Sequence, residues 1–316
     1  MKLYLARRVL HGALVVVSVF FTVFVLAYAT RGGEARTALG PHATTQQVEQ
    51  FDRRDGLTLP FWDQLWRYVD HVAHGNLGYS FQSNQAVSSL IAQRMPRTLV
   101  LVGISLFVSI PVAILLALIQ VRKRDQPLDH AMTAATFVAY GVPSFAIGTL
   151  LIQVFAFGLH WFPAQFSQSE SVMDILRNPR GLVLPEITLS TATVAACVRF
   201  LRSSLITVTH SDYVRTSEAY GISPRRVLGV HVLRNALIPF VTMLGLAIPA
   251  LFSGAVVTET VFNYPGMGLL SVNAALDSDV AVLLGVTLLI TVGVVVGSLA
   301  ADIAYVAIDP RIRYDS

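Results

Sequence analysis

"SDYVRTSEAYGISPRRVLGVHVLRNALIP", Ser211–Pro239, places Arg215, Arg225, Arg226 and Arg234 between two long apolar runs. Local signals divide it in two. Asp212 is a candidate N-cap for a short helix from Tyr213 to Tyr220, and Gly221 suits the left-handed stop after it. Ser223 then caps a second helix with Pro224 at N1, where a missing N–H costs nothing. The expected unit is a helix–turn–helix joining two apolar segments. A structured connection of this length reads as a docking surface for another protein.

The flanking runs decide the class. The chain has 316 residues, 54% hydrophobic and 13% charged, against about 25% charged in an ordinary soluble domain. Six stretches are long enough to cross a hydrocarbon core of about 30 Å, which takes roughly 20 helical residues. They lie near 9–29, 98–121, 131–160, 182–205, 236–258 and 280–307. The first follows Lys2, Arg7 and Arg8 and precedes Ala27-Tyr28-Ala29, as a signal peptide would, but its apolar run is longer than a signal's and reads as a retained helix.

Basic residues set the orientation. Lys2, Arg7 and Arg8, then Arg122, Lys123 and Arg124, then Arg311 and Arg313 fall on the same side as the opening segment. The positive-inside rule makes that side cytoplasmic, both termini included. The remaining basic residues lie mostly between Arg31 and Arg97, in a connection too long to weigh heavily. Because the arginines sit at span ends and form no single patch, the net charge of +4 reads as topology and not as a nucleic-acid surface.

Residues 31–97 read as a small extracytoplasmic helical insertion. Thr44 and Gln47 have capping-box spacing, Gly56 suits a stop, Pro60 suits N1 of a helix ended by Gly75, and "SNQAVSSLIAQRMP" reads as a third short helix reaching Pro96. Phe61, Leu65, Tyr68, Val69 and Val72 share one apolar face, to pack on protein or lie on the bilayer.

Within the spans, Pro143 is expected to kink the third helix. Gly293, Gly297 and Ala301 recur every fourth position of the last, a pattern for close helix packing within one chain or between subunits. Asp302 is the ionisable group inside that helix, and it is expected either to pair with Arg199 or Arg202 or to be solvated at the interface. Glu186 and Glu259, near the outer ends of spans four and five, either line a polar route for a cationic group or are hydrated interface residues. The lone Cys197 reads as a small packed residue. G-x-x-x-x-G-K-[ST], H-E-x-x-H and G-x-S-x-G are absent, so neither nucleotide binding by a P-loop nor hydrolysis by those motifs is expected. His71 and His74 make at most half a metal site, and no metal is expected.

Seven stretches in order carry a resemblance over nearly the whole chain. They are "RRVL" (7–10), "HGNLGYSF" (74–81), "RTLVL" (97–101), "LHWFPA" (159–164), the opening segment, "ETVFNYPGMGLL" (259–270) and "AIDPRIRY" (307–314). Through them the sequence resembles the B-type permease subunits of di- and oligopeptide ABC importers. The resemblance implies an all-α membrane protein with six transmembrane helices in the type I importer fold, in the bacterial inner membrane. Its expected partners are a second homologous permease, two cytoplasmic ATPases holding ATP and Mg, and an extracytoplasmic binding protein. No cofactor is expected in this chain, and its function is transport without catalytic residues. The implied layout is the amino-terminal segment and first span in 1–30, the insertion in 31–97, a five-helix core in 98–307 with a coupling loop at 206–235, and a tail at 308–316.

In such permeases a Glu-Ala-Ala-x-x-x-Gly-x9-Ile-x-Leu-Pro loop inserts into the ATPase. Counting back six from Gly221 lands on Arg215-Thr216-Ser217, not on Glu218-Ala219. Counting forward gives His231, Leu233 and Arg234 for Ile, Leu and Pro. Gly221 and Leu233 match, while arginines replace Glu and Pro, which resembles the peptide-permease branch. The resemblance assigns ATPase coupling to Arg215, Thr216, Ser217, Glu218, Ala219, Tyr220, Gly221, Pro224, Arg225 and Arg226, with Arg225 and Arg226 meeting either the ATPase or lipid phosphates. Glu218 is placed to pair with Arg215 within the helix. The alternatives are the same machine moving nickel or another small solute, or a self-sufficient secondary transporter.

Overall fold

The computed structural model describes residues 2–29, 35, 39–40, 42–54 and 56–308. Among the described residues, five helices are long and apolar enough to cross a membrane, or six if one sharply bent pair is a single span. The chain divides into two compact units, one of Lys2–Thr98 with Pro265–Val295, the other of Leu99–Tyr264 with the chain from Val296.

The first unit starts with α1 (Lys2–Ala29), followed by α2 (Thr45–Arg54) and α3 (Phe61–Ala73). The capping box at α2 forms as the spacing predicts: Thr44 N–H donates to Gln47 Oε1 at 2.9 Å, and Gln47 N–H to Thr44 Oγ1 at 3.3 Å. Pro60 sits one position before α3 and not at N1. Aromatic rings dock α3 on α1: Phe61 lies 5.0 Å from Tyr28 and 5.5 Å from Phe24, and Tyr68 stacks on Phe20 at 5.4 Å.

The expected short helix at 83–96 is corrected. Ser83 and Asn84 close a small hairpin of β1 (Tyr79–Ser80) on β2 (Gln85–Ala86), and α4 runs unbroken from Val87 to Arg122. Pro96 removes one backbone donor, yet Val87, Leu90 and Ile91 bury against Met267, Val282 and Val286, which holds the segment helical through that loss. The unit is completed by α12 (Met267–Leu276) and the first part of α13 (Val280–Ile308). Asp279 begins α13, accepting from Val282 N–H at 3.2 Å and from the Ser80 hydroxyl at 2.5 Å.

The second unit contains α5 (Pro127–Gly141), α6 (Ser144–Leu151, extended by a π-helical turn Ile152–Gly158), α7 (Val172–Arg177) and α8 (Val183–Thr209). Then come α9 (Asp212–Ala219), α10 (Pro224–Arg226, running into the π-helical Val227–Val232) and α11 (Leu233–Val261). The kink expected at Pro143 is a break of 100°. Val142, forced out of the helical region by the proline after it, takes φ −79 and ψ 129 and ends α5.

Small residues set the spacing of α11 and α13. A Cβ on Gly245 would stand 2.5 Å from the Ala301 methyl, and one on Gly297 would stand 2.8 Å from Ile248. This much of the small-residue pattern therefore serves packing within one chain. Gly245→Leu is expected to force the helices apart and cost about 1–3 kcal/mol. A lower thermal midpoint of the detergent-solubilised chain checks it, and an unchanged midpoint would refute the close packing.

Candidate functional site

The connection between α8 and α11 is built as its sequence dictates. Ser211 starts α9, its carbonyl accepting from Val214 N–H at 3.0 Å, so the helix begins one residue before the expected position, with Asp212 in its first turn. Gly221 ends it at φ +74, with Ile222 N–H reaching back to the Ser217 carbonyl at 3.3 Å. Ser223 then adopts the extended N-cap conformation with Pro224 at N1, and its carbonyl accepts from Arg226 N–H at 2.9 Å.

One side chain fixes the handle to the core. Val214 is 1% exposed and joins a buried cluster with Leu201, Leu205, Val227, Val232, Ala236 and Phe240. Full burial of a Val-sized side chain contributes roughly 1.5–3 kcal/mol. With that face inward, Arg215, Thr216, Ala219, Tyr220 and Gly221 face out, as do Pro224, Arg225 and Arg226, and Tyr220 is 83% exposed. Thr216 and Ser217 donate their hydroxyls to their own helix, at 2.9 Å to Asp212 O and 2.8 Å to Tyr213 O. That leaves Arg215 and the half-exposed Tyr213 as the outward donors of α9. The Arg215–Glu218 pair falls on a side chain, Glu218, outside the described residues.

The helical path is continuous beyond the turn. From Pro224 the chain runs through the π-helical stretch directly into α11, while α9 follows α8 after a single turn. The connection is therefore joined to a long helix at each end, α8 before it and α11 after it.

The expected pairing of Asp302 with Arg199 or Arg202 is corrected, since neither arginine pairs with it. Arg202 makes a two-pronged pair with Asp129 on α5, Nε to Oδ1 at 2.9 Å and Nη2 to Oδ2 at 2.6 Å. Asp129 is 1% exposed and also accepts from Asp125 N–H at 3.2 Å. Arg199 lays its guanidinium over the Phe137 ring at 4.2 Å and over Tyr140 at 5.3 Å. The reason is local: α5 packs on α8 and offers an acid and two aromatic faces to those two arginines. Nothing in the sequence singles out Asp129, because an acid two residues after Pro127 also reads as ordinary first-turn helix chemistry.

Glu186 lies in the first turn of α8 with both carboxylate oxygens buried and, among the described residues, no hydrogen-bond donor on either. Glu259, in α11, is fully buried. Pro143 is the helix break already described, and α6, which starts after it, packs on both α8 and α11, the helices that carry the two glutamates. His74 Nδ1 lies 2.8 Å from the Asp70 carbonyl oxygen. Among the described residues no third metal-ligand type joins it and His71.

Sequence comparisons bear on the whole chain. The model of the "binding-protein-dependent transport system inner membrane component" family matches residues 95–314, and the model of its N-terminal region matches residues 1–102. The oligopeptide transport system permease protein AppB of Bacillus subtilis (strain 168) is 34% identical over 316 residues, covering 99% of this chain and 100% of its own. The glutathione transport system permease protein GsiC of Escherichia coli (strain K12) is 34% identical over 313 residues, 98% and 99% of the two chains. A putative peptide permease protein of Brucella suis biovar 1 is 34% identical over 317 residues and 98% of each.

Proposed function

The chain belongs to the family of inner-membrane components of binding-protein-dependent transport systems, and from that premise we propose that it is the permease half of an ATP-driven importer of di- and oligopeptides. The names of the AppB, GsiC and Brucella relatives support the peptide substrate. The observation that carries the coupling role is the handle itself: α9, pinned inward by Val214, presents Arg215 and Tyr220 outward and continues through Pro224 into α11.

In this reading two cytoplasmic ATPases hold ATP and Mg, and one of them grips the Arg215–Gly221 face. A second permease completes the pathway, and an extracytoplasmic binding protein delivers substrate. Both termini and the handle lie on the cytoplasmic side. The ATPase states favour different handle positions, and only that difference in interaction shifts the equilibrium between inward- and outward-open pathways. Arg215, Arg225 and Arg226 supply planar, permanently charged donors suited to carboxylates on the ATPase. No residue of this chain makes or breaks a covalent bond.

Glu186 belongs to the substrate route in this scheme. A carboxylate buried in a span without a donor is stable only if protonated or met by a cation, and the ammonium of a passing peptide is such a cation.

Arg215→Glu is the direct test. Reversing the charge is expected to weaken ATPase capture by about tenfold or more, the scale of a lost charge-assisted hydrogen bond plus a new repulsion. Arg215→Lys should retain part of it. Co-purification of the tagged permease with its ATPases reads the effect, and undiminished capture by Arg215→Glu would remove Arg215 from the interface.

A further inference from the structure

The first unit forms a half-open cavity of about 1010 Å³ whose walls come from the end of α1, from α2 and α3, from the hairpin, and from α12 and the start of α13. This is at the top of the range for pockets that bury most of a ligand. It lies at the depth of a membrane surface, because two of its walls, Val23–Tyr28 and Val280–Thr287, are the ends of apolar spans. The outer face of α3 supports the same depth. Trp62 and Trp66 are 62% and 69% exposed, and Phe21 of α1 stacks beside Trp62 at 6.5 Å, as in the aromatic belt of a membrane interface.

The lining is mixed in character. Phe24, Tyr28, Phe51 and Leu284 make apolar wall. The Tyr68 hydroxyl lines the cavity too, fully buried and without a hydrogen-bond partner among the described residues. Burial pushes its pKa above the ordinary tyrosine value, so it stays a donor. At the rim are Arg67, exposed, and Asp52, half-buried, and among the described residues neither charged group has a hydrogen-bond or ion-pair partner. The rim is held in place by Gln64, whose Nε2 donates to the carbonyls of Gly56, Leu57 and Leu59 at 3.1, 2.7 and 3.0 Å.

We propose that this cavity binds one zwitterionic phospholipid of the leaflet on the insertion's side, with its phosphate on Arg67, its ammonium on Asp52, an ester carbonyl on the Tyr68 hydroxyl and an acyl chain against Phe24 and Leu284. Charges of both signs, a hydroxyl donor and an apolar wall are together the groups that such a lipid requires. A peptide has no long unbranched chain for the apolar end, and a fatty acid has no cation for Asp52. The bound lipid fills the space behind α3 and ties the insertion to α1, which gives the unit a lipid-dependent rigidity.

Photo-crosslinking in proteoliposomes of the assembled transporter tests this, with a phosphatidylethanolamine carrying a diazirine on its acyl chain. Labelling is expected in the peptides containing Val23–Tyr28 and Val280–Thr287, and to be competed better by unlabelled phosphatidylethanolamine than by phosphatidylglycerol. Ala275→Trp, which fills the cavity from an exposed lining position, and Arg67→Gln, which removes the phosphate donor, should each reduce labelling about tenfold. Thermal unfolding of each variant confirms that it folds, and if Ala275→Trp does not, Arg67→Gln carries the test alone. Equal labelling of wild type and variants, labelling confined to the Trp62–Trp66 face, or displacement by trialanine and not by lipid would each overturn the proposal.

Discussion

Gly221→Leu is expected to leave the permease in the membrane at normal abundance while substrate-stimulated ATP hydrolysis by the complex falls to its basal rate. Gly221 holds φ +74, and no heavy atom lies within 4 Å of where a Cβ would stand. The obstacle is therefore the backbone conformation and not a clash. A side chain in that region costs roughly 1–2 kcal/mol for most residues and less for asparagine, which bonds its own backbone there. The turn fixes the angle between α9 and α10, so strain at Gly221 is relieved by letting α9 leave its seat. A shift of that size changes the ratio of seated to displaced α9 by roughly 5- to 30-fold. The expected order of coupling is Gly221, then Asn, then Ala, then Leu. Paired measurements of basal and substrate-stimulated ATPase rates across the series check it. Full coupling in the leucine variant, or an asparagine variant as impaired as leucine, would show that the left-handed turn is not what the handle depends on.

That Gly221 was legible in the sequence reflects how local its physics is. A glycine after a capped helical segment, a Ser-Pro pair two residues on, and Thr44 three residues before Gln47 each specify their geometry within one turn of chain. The spans were legible because a hydrocarbon core requires long apolar runs. Proline was less informative. Pro143 marked its bend but not the 100° size, which depends on Val142 being driven into the extended region. Pro96 suggested a helix end where tertiary burial of Val87 and Ile91 carries the helix through. Groups joined across long stretches of sequence were not legible at all. Asp302 drew attention as the carboxylate inside the last apolar run, whereas the acid on Arg202 is Asp129, 73 residues away in sequence. The inward face of α9 shows the same limit: Val214 is an ordinary valine until α8, the π-helical Val227–Val232 and α11 close around it.

The Asp129–Arg202 pair should be the most costly polar contact in the second unit to break from one side. Asp129 is 1% exposed and the Arg202 side chain 27%, so removing one partner strands the other where water solvates it poorly. Such one-sided removals cost about 3–5 kcal/mol when both charges are buried. The partial exposure of Arg202 places Asp129→Leu at the lower end, near 3 kcal/mol. Arg202→Met should be the worse of the two, because it leaves a carboxylate with a single backbone donor, Asp125 N–H. Replacing both, as Asp129→Leu with Arg202→Met, removes the desolvation cost along with the attraction and is expected to come within about 1 kcal/mol of wild type. Thermal unfolding of the four forms in one detergent closes the cycle, and a coupling energy of about 5 kcal/mol, the two single costs less that of the double, is expected. Additive single effects would show that the two side chains do not depend on each other. A coupled result identifies the pair as the joint through which α5 braces α8, the helix that leads into the connection carrying Arg215.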